Sequence, residues 1–422
     1  MSRPLQAVLL PPSAGDRMLA ALAAALDGSG PAILPLDPDL PATALARTLE
    51  ALAPSQLLTA EGTRDLPAGS DGRDAAGVAP DTAVVIATSG STGVPKGVEL
   101  SGDALRASAT AALRRIGARP GERWLCCLPT FHIAGLGILV RSLVSGTEPL
   151  ITAKADPEVI AGSGCAHVSL VPTQLRRLLA AGARPGPVRT VLLGGAAAGD
   201  DLLRAARVAG WPVVTTYGMS ETCGGCVYDG VPLDGVLAVP GPDGRIRIGG
   251  PVLFSGYRLQ PVLTAQVLAN GMFTTADLGY LGPAGRLVIR GRADDVINTG
   301  GEMVVPGEIE AVLGTSSQVA DVVVVGVPDA EWGERVTAFV VAADPGQPPE
   351  PEQLRAIVRQ ALSASAAPKK VIVMPVFPLL PSGKPDRAAL RAVALAGSNS
   401  VQSDSGQPNC GQPDGGQRKL GD

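Results

Sequence analysis

The stretch "VVIATSGSTGVPKGVEL" at residues 84–100 decides the fold class, because a buried apolar run passes directly into a glycine- and hydroxyl-rich segment. Residues 84–87 are predicted to form a buried strand, and the segment after them carries three glycines and one lysine, Lys96. Backbone N–H groups and hydroxyls in such a loop are suited to holding phosphate oxygens. The stretch therefore predicts an α/β domain that binds phosphate.

The spacing of this loop excludes two common phosphate-binding patterns. A Walker A loop needs G-x-x-x-x-G-K-[ST], but the sixth residue from Gly90 is Pro95, and Gly97 follows Lys96. The dinucleotide pattern G-x-G-x-x-G also fails, because the glycines stand at 90, 93 and 97. Two interpretations of the loop alone remain: a wrap around a pyrophosphate, or a solvated linker.

Composition sets outer limits on the function. The chain has 422 residues, 45% of them hydrophobic, which allows two or more domains with large cores. The net charge of −4 provides no basic surface for nucleic acid. Cys223 and Cys226 form a C-x-x-C pair, but there is no second pair and there are only two histidines, so small core residues are favoured over zinc or redox chemistry. No apolar run reaches the roughly 18 residues of a membrane span, so a cytoplasmic protein is expected.

Strand and helix patterns alternate along the first half of the chain. Strands are predicted at 84–87, 168–171, 188–193 and 212–215, with helices at 101–115, 174–181 and 200–209. This alternation implies a mainly parallel sheet. Arg176 and Arg177 are expected on the solvent side of the second helix. After about residue 235, the segments 244–248 and 285–289 resemble antiparallel hairpins, and a helix at 304–313, strands at 322–327 and 336–342 and a helix at 352–363 predict a small α+β domain.

Five stretches recur in a fixed order: "TSGSTGVPKG" (88–97), "TTYGMSET" (215–222), "TTADLG" (274–279), "GRADDVINTGGEMVVPGEIE" (291–310) and "LPSGKPDR" (380–387). They resemble the signatures of the acyl-adenylate-forming superfamily; Ala276 is a departure, since it stands where glycine is usual. The resemblance implies a large N-terminal AMP-binding domain over 1–293, with parallel α/β layers and a β-barrel-like part. It also implies a small mobile C-terminal α+β domain over 294–396. Residues 397–422 are expected to form a disordered tail.

The resemblance also implies a reaction in which a carboxylate attacks ATP to form acyl-AMP, and a thiol then displaces AMP. Residues 89–96 would hold the β- and γ-phosphates, and Glu221 would bind Mg²⁺. Asp277, assisted by Arg292, would accept the ribose hydroxyls. Tyr217 would stack on the adenine, and Thr216 or Ser220 would contact the α-phosphate. The full ATP set is Thr88, Ser89, Gly90, Ser91, Thr92, Gly93, Lys96, Gly194, Gly195, Ala196, Thr216, Tyr217, Gly218, Met219, Ser220, Asp277 and Arg292.

The small domain carries the remaining residues that the resemblance implicates. Lys384 would reach the α-phosphate and the carboxylate oxygens during adenylation. Asp294 occupies the hinge position, about which the small domain would rotate between the two steps. Gly300 and Gly301 would then let the pantetheine arm of CoA approach the backbone.

The acid is inferred from "LPTFHIAGLGILVRSL" (128–143), "VSLVPTQLRRLL" (168–179), "VLLGGAAA" (191–198) and "TYGMSETCGGCVYDGVPLDGV" (216–236). These stretches most resemble the o-succinylbenzoate–CoA ligases of menaquinone biosynthesis, which implies an aromatic dicarboxylate substrate. Gly194 and Gly195 would leave room for the ring. His132 would contact the carboxylate that is activated, with a structural histidine as the alternative. Arg141 would recognise the ring carboxylate, with a side chain that reaches solvent from a helix end as the alternative.

Two other functions stay open at this point. One is a ligase for another acyl or aryl acid, or one that loads a separate carrier protein. The other is a non-catalytic nucleotide-binding relative, which retention of Glu221, Asp277 and Lys384 disfavours. The expected partners are the acid, ATP with Mg²⁺ and CoA, without nucleic acid or a transmembrane segment, and with a possible homo-oligomer.

Overall fold

The computed structural model describes residues 2–67, 77–89, 95–380 and 385–402. Five predicted site residues lie outside these ranges, so their roles stay predictions: Gly90, Ser91, Thr92, Gly93 and Lys384. Within the described ranges, none of the helices is both long enough and apolar enough to cross a membrane.

Helices and strands alternate through the described chain. The helices are α1 (Gly15–Asp27), α2 (Ala42–Leu52), α3 (Gly102–Arg115), α4 (Ile133–Ser145), α5 (Pro157–Gly162), α6 (Pro172–Ala180), α7 (Asp200–Val208), α8 (Pro261–Val267), α9 (Pro306–Leu313), α10 (Pro351–Ala361) and α11 (Arg387–Gln402). The strands are β1 (Leu5–Val8), β2 (Ala32–Pro35), β3 (Gln56–Thr59), β4 (Gly62–Asp65), β5 (Thr82–Ser89), β6 (Pro95–Ser101), β7 (Trp124–Cys126), β8 (Leu150–Ile151), β9 (His167–Leu170), β10 (Thr190–Leu193), β11 (Val213–Met219), β12 (Gly224–Tyr228), β13 (Val231–Pro232), β14 (Leu237–Pro240), β15 (Arg245–Gly249), β16 (Gly256–Tyr257), β17 (Leu268–Ala269), β18 (Met272–Leu281), β19 (Leu287–Arg292), β20 (Ile297–Thr299), β21 (Glu302–Val304), β22 (Val319–Asp329), β23 (Gly333–Ala342) and β24 (Lys370–Val373).

The first sheet has seven strands in the order β16-β6-β5-β2-β1-β3-β4. Strands β1, β2, β3 and β5 pair in parallel, whereas β6 runs antiparallel to β5 and β16 antiparallel to β6. Every residue of β1 and β2 is buried, as expected for parallel strands that are covered on both faces. The edge made by β5, β6 and β16 carries the phosphate-loop flanks.

The second sheet has the order β13-β12-β11-β10-β9-β7-β8, with parallel pairing from β8 to β11. The predicted strands 168–171, 188–193 and 212–215 correspond to β9, β10 and β11. A core of side chains from both sheets and from α1, α3 and α4 joins the two layers, with Leu22, Leu105, Trp124 and Leu136 buried in it. The carboxyl ends of the parallel strands meet at one edge, where ligands bind in open α/β sheets.

The third sheet is antiparallel, in the order β14-β15-β18-β17, with β19 paired to β18. It contains both predicted hairpin segments and corresponds to the expected β-barrel-like part. Ile246, Ile248 and Leu287 of this sheet share a core with Val227 of β12. The third sheet is thereby fixed beside the end of the second.

The small domain is a sheet in the order β21-β20-β23-β22, with β24 parallel to β23. Val324 packs with α9 and α10, whereas Val323 and Val325 pack with α11. This alternation is the two-residue period of a strand with both faces covered. The α/β class with a large N-terminal and a small C-terminal domain is thus confirmed; the boundary at residue 294 stays a prediction.

Several predicted bounds in the small domain differ from the structure by a few residues. Helix α9 begins at Pro306 rather than at 304, because Val304 belongs to β21 and proline suits the first turn of a helix. Helix α11 continues to Gln402, past the predicted start of the tail at 397. Residues 403–422 lie outside the described ranges.

The expectation that Arg176 faces solvent is wrong. The side chain is half-buried, donates a hydrogen bond to the carbonyl of Ala320 and lies 3.7 Å from Asp321 Oδ1. Both partners belong to the small domain, so this arginine connects α6 with β22. Neighbouring Arg177 is exposed, as predicted.

Candidate nucleotide- and acid-binding site

Two antiparallel strands flank the phosphate loop. Thr88 of β5 faces Lys96 of β6 in the strand register, and the Thr88 hydroxyl donates to the Lys96 carbonyl at 3.4 Å. Strand β6 separates the loop from α3, whose first turn is capped by the Ser101 hydroxyl at 3.1 Å from the Ala104 amide. The sequence did not predict β6, because its apolar residues are interrupted by lysine, glycine and glutamate. The loop therefore differs from a strand–loop–helix phosphate loop in topology as well as in spacing.

Glu221 follows the end of β11 and is held by contacts with Phe254 and with Tyr257 of β16. It lies in a 3₁₀ turn, Ser220–Thr222, and its carbonyl accepts the Phe254 amide at 2.9 Å. The Tyr257 hydroxyl donates to Glu221 Oε1 at 2.8 Å. The pairing of β16 with β6 brings Tyr257 to this position. Burial and the negative charge of Glu221 both raise the pKa of Tyr257, so its hydroxyl stays a neutral donor.

Lys96 approaches the same tyrosine from the phosphate-loop side. Its Nζ lies 5.6 Å from the centre of the Tyr257 ring, within reach of a cation–π contact. One aromatic side chain thus touches both the predicted phosphate-binding lysine and the predicted metal ligand. Tyr257 was not among the residues expected from sequence, since a lone tyrosine 36 positions after Glu221 carries no recognisable motif.

The donor set around Glu221 fits Mg²⁺ bound mainly through a nucleotide. The described residues contain no cluster of three or more histidine, cysteine or acidic side chains that could hold a metal alone. Mg²⁺ usually takes one or two carboxylates and completes its shell with phosphate oxygens and water. Glu221, a single carboxylate beside the predicted phosphate loop, matches this mode of Mg²⁺ binding.

A second cluster joins Tyr217, Asp277 and Arg292. The Tyr217 hydroxyl donates to Asp277 Oδ2 at 2.8 Å, and Arg292 Nη1 lies 3.5 Å from Asp277 Oδ1. Asp277 and Arg292 face each other across β18 and β19, which explains the pairing. Burial and the Asp277 carboxylate raise the pKa of Tyr217. The ring predicted to stack on adenine is thus tied to the carboxylate predicted to bind ribose.

The predicted hinge residue continues this cluster. Asp294 Oδ2 accepts from Arg292 Nη2 at 2.8 Å. Burial tends to lower the pKa of Arg292, but the nearby carboxylates of Asp277 and Asp294 outweigh burial and raise it. Arg292 therefore connects the predicted ribose site with the predicted hinge.

The carboxyl ends of β9, β10 and β11 form a backbone-rich edge. The Gly194 amide donates to the Leu170 carbonyl at 3.1 Å, and the Thr216 hydroxyl donates to the Leu193 carbonyl at 3.2 Å. A Cβ atom on Gly194 would lie 2.3 Å from Thr216 Oγ1, so a larger residue there would displace the Thr216 hydroxyl from its bond to Leu193. The remaining predicted ATP-binding residues of this edge are Gly195, Ala196, Gly218, Met219 and Ser220, of which Gly195 and Ala196 are exposed.

His132 lies at the same edge, immediately before α4. The residue is half-buried, its ring centre is 4.6 Å from that of Phe131, and its carbonyl accepts the Leu136 amide at 2.9 Å. The next residue, Ile133, lies 3.8 Å from the Cβ position of Gly224. Because the start of α4 borders β12 beside Glu221, His132 belongs to the surroundings of the site.

Arg141 is buried rather than snorkelling, so the alternative of a side chain reaching solvent is wrong. It is 9% exposed, its guanidinium lies 4.4 Å from the centre of the Trp124 ring, and Nη2 donates to Ser169 Oγ at 3.2 Å. Nη1 lies 3.4 Å from the Cβ position of Gly137, one turn nearer the start of α4. Within the described part of the chain, Arg141 forms no ion pair with a carboxylate. Burial lowers its pKa.

The predicted CoA-contacting glycines form the turn between β20 and β21. Gly300 and Gly301 have φ of +60° and +84°, left-handed values that glycine adopts without strain. The Gly300 amide donates to the Trp332 carbonyl at 2.9 Å. Lys384 lies outside the described residues, and Leu379 pairs with Pro385 in an isolated antiparallel bridge. The roles of these residues with CoA and the α-phosphate stay predictions.

The five cysteines within the described ranges are consistent with core positions. Cys126, Cys127, Cys165, Cys223 and Cys226 are buried free thiols. Burial raises the pKa of Cys226 to about 12, so a thiolate is strongly disfavoured. The predicted preference for small core residues over a redox pair agrees with this environment.

Comparison with known proteins identifies the family. A family model described as "AMP-binding enzyme" matches residues 7–291, and one described as "AMP-binding enzyme C-terminal domain" matches residues 308–384. The chain belongs to the AMP-binding enzyme family. The expected acyl-adenylate-forming superfamily is thereby confirmed for this AMP-binding enzyme.

Individual relatives of this AMP-binding enzyme narrow the comparison. It is 48% identical over 324 residues to a Mycobacterium tuberculosis protein named "Probable 2-succinylbenzoate--CoA ligase". The aligned region covers 74% of this chain and 84% of the relative. It is similar to a solved Bacillus subtilis o-succinylbenzoate CoA synthetase in complex with its acyl-adenylate intermediate, with 28% identity, a TM-score of 0.78, and 92% and 88% of the two chains covered. The same Bacillus enzyme was also solved with ATP and a magnesium ion, with 28% identity, a TM-score of 0.77, and 92% and 89% coverage.

Proposed function

We propose that this AMP-binding enzyme is an AMP-forming 2-succinylbenzoate–CoA ligase of menaquinone biosynthesis. A carboxylate oxygen of the acid attacks the α-phosphorus of ATP, the bond to the bridging oxygen of the β-phosphate breaks, and pyrophosphate leaves. The CoA sulfur then attacks the acyl carbon, the thiol proton is lost, and AMP leaves. ATP, Mg²⁺ and CoA are the co-substrates, and we expect the reaction in the cytoplasm.

The observation that carries the acid assignment is the burial of Arg141 without a carboxylate partner among the described residues. A buried charge that lacks an opposite charge is costly, so a ligand carboxylate is a natural partner. Its guanidinium points back along α4 toward Gly137 and the end that follows His132. A ring-borne carboxylate could meet Arg141 while the second carboxylate meets ATP near His132.

The first half-reaction depends on orientation and charge neutralisation. Mg²⁺, when bound, offsets the negative charge of the phosphate oxygens. Glu221, held by Tyr257, would be its protein ligand. Asp277 would orient the ribose, and its contacts with Tyr217 and Arg292 hold its carboxylate in place.

The second half-reaction would follow rotation of the small domain about Asp294. Lys384 would serve adenylation and leave with that rotation, while the turn at Gly300 and Gly301 would admit pantetheine. The contact of Arg292 with Asp294 would couple the proposed hinge to the proposed ribose site. A homo-oligomer stays a prediction.

Substituting Arg141 by methionine tests the acid assignment, because methionine removes the charge and keeps much of the volume. We expect the KM for the dicarboxylate to rise by the equivalent of about 2–4 kcal/mol, roughly 30- to 1000-fold, if a buried pair is lost. A monocarboxylate analogue without the ring carboxylate should change little. Pyrophosphate release measures both, and R177M, at an exposed position of α6, is the control. An equal rise for both acids would remove Arg141 from acid recognition.

A further inference from the structure

Tyr257 occupies the junction between the two charged groups of the nucleotide site. Its hydroxyl donates to Glu221 Oε1 at 2.8 Å, and its ring centre lies 5.6 Å from Lys96 Nζ. Lys96 and Glu221 carry opposite charges, yet neither takes part in an ion pair within the described ranges. Within the described ranges, Tyr257 therefore connects Lys96 with Glu221 through one contact to each.

The neighbours of Tyr257 hold its ring in place. Its amide donates to Thr264 Oγ1 at 2.8 Å, and its register partner across the β6–β16 pair is Val98. The Phe254 ring packs against it with a centre-to-centre distance of 5.0 Å. Backbone, neighbouring-strand and aromatic contacts together fix the residue with its hydroxyl directed at Glu221.

The contacts that Tyr257 makes with Glu221 and Lys96 leave both charges available to a ligand. A hydrogen bond from a neutral hydroxyl orients a carboxylate but leaves its negative charge available to a cation. An ion pair with Lys96 would instead offset that charge and occupy the lysine, and Mg²⁺ and phosphate would have to compete with it. An aromatic face attracts the ammonium group more weakly than a carboxylate does, so the lysine can be released to a phosphate.

We propose that Tyr257 is a positioning residue for the metal–nucleotide site, in which its hydroxyl orients Glu221 for Mg²⁺ and its ring keeps Lys96 beside the phosphate loop. The inference rests on the proposed role of Glu221 as the Mg²⁺ ligand. Tyr257 does not touch the reacting atoms and acts through its two neighbours.

Two substitutions separate the two contacts. Y257F removes the hydroxyl and keeps the ring, whereas Y257L removes both. Calorimetric titration of ATP, with and without Mg²⁺, measures binding directly and does not depend on turnover. Y280F serves as the matched control, because Tyr280 is a half-exposed tyrosine of β18.

For Y257F we expect the Mg²⁺ concentration at half-saturation to rise about tenfold, since the lost hydrogen bond is to a charged group. ATP binding without metal and the KM values for the acid and CoA should stay within twofold. Y257L should show the same metal defect and also weaken metal-free ATP binding about two- to fivefold, because the cation–π contact is lost. Circular dichroism and the unchanged KM for CoA report that the variants are folded.

Unchanged Mg²⁺ dependence in Y257F would overturn the role of the hydroxyl, and so would an equal loss of metal-free ATP binding in Y257F. Identical metal-free binding in Y257L and Y257F would overturn the role of the ring. These results are independent of the acid assignment, because a wild-type enzyme that prefers another acid would still show the same Mg²⁺ and ATP titrations.

Discussion

Substituting Asp277 by asparagine removes the charge of this side chain and keeps its shape. In the structure, Asp277 receives the Tyr217 hydroxyl at 2.8 Å and lies 3.5 Å from Arg292 Nη1. The side chain is 14% exposed, so it is largely shielded from water. Asparagine retains one oxygen that can accept from Tyr217, and the fold should tolerate the change.

The expected loss follows from the difference between charged and neutral hydrogen bonds. Hydrogen bonds to charged groups contribute about 1.5–3 kcal/mol and neutral ones about 0.5–1.5 kcal/mol, a difference of roughly 1–1.5 kcal/mol per ribose hydroxyl. For two hydroxyls this amounts to about 2–3 kcal/mol, or roughly 30- to 150-fold in the dissociation constant for ATP.

Calorimetry with ATP, 2′-deoxy-ATP and 3′-deoxy-ATP provides the assay. The wild-type enzyme should bind each deoxynucleotide about tenfold more weakly than ATP, and D277N should reduce this discrimination to about threefold or less. D243N is the control, because Asp243 lies in the turn before β15 and its side chain is 49% exposed. Full deoxynucleotide discrimination in D277N would show that a group other than Asp277 binds the ribose.

Two further substitutions test contacts that are seen in the structure and were not predicted from the sequence. R176A removes the contact between α6 and the small domain. Because the Arg176 and Asp321 side chains are 35% and 31% exposed, the free energy of unfolding should fall by less than about 1 kcal/mol. It should change the ratio of the adenylation and thioester-forming rates by roughly two- to fivefold, and an equal effect on both single-turnover rates would contradict this. Burial lowers the pKa of His167, and this effect outweighs the opposing effect of the Glu122 carboxylate. The neutral imidazole therefore contributes to folding stability above pH 6.5, the ordinary pKa of histidine, and this contribution is lost as the pH falls below that value. Urea unfolding of H167Q should therefore lose less stability than wild type between pH 7 and pH 5, and identical slopes would contradict the assignment.

Local patterns predicted much of the large domain. Short apolar runs identified β5, β9, β10 and β11, and the predicted helix at 101–115 corresponds to α3, because these signals lie within a few residues of one another. Gly194 and Gly195 were predicted from the sequence to line the nucleotide- and acid-binding site. The structure adds that a larger residue at 194 would collide with the present position of the Thr216 hydroxyl.

Contacts between distant segments could not be predicted in the same way. Tyr257 reaches Glu221 only because β16 pairs with β6, and Arg176 reaches Asp321 only because the small domain lies against α6. No local pattern encodes such pairings. Arg141 illustrates the same limit, because its burial depends on Trp124 and Ser169 from neighbouring strands rather than on its own position at a helix end.

Pyrophosphate release by the purified enzyme with o-succinylbenzoate, benzoate and octanoate, each with and without CoA, tests the acid assignment most directly. We expect o-succinylbenzoate to give the highest kcat/KM by at least about a hundredfold, equivalent to roughly 2.7 kcal/mol, and to be converted by CoA to the thioester with release of AMP. Equal or higher kcat/KM with benzoate or octanoate, or transfer only to a carrier protein, would contradict the assignment.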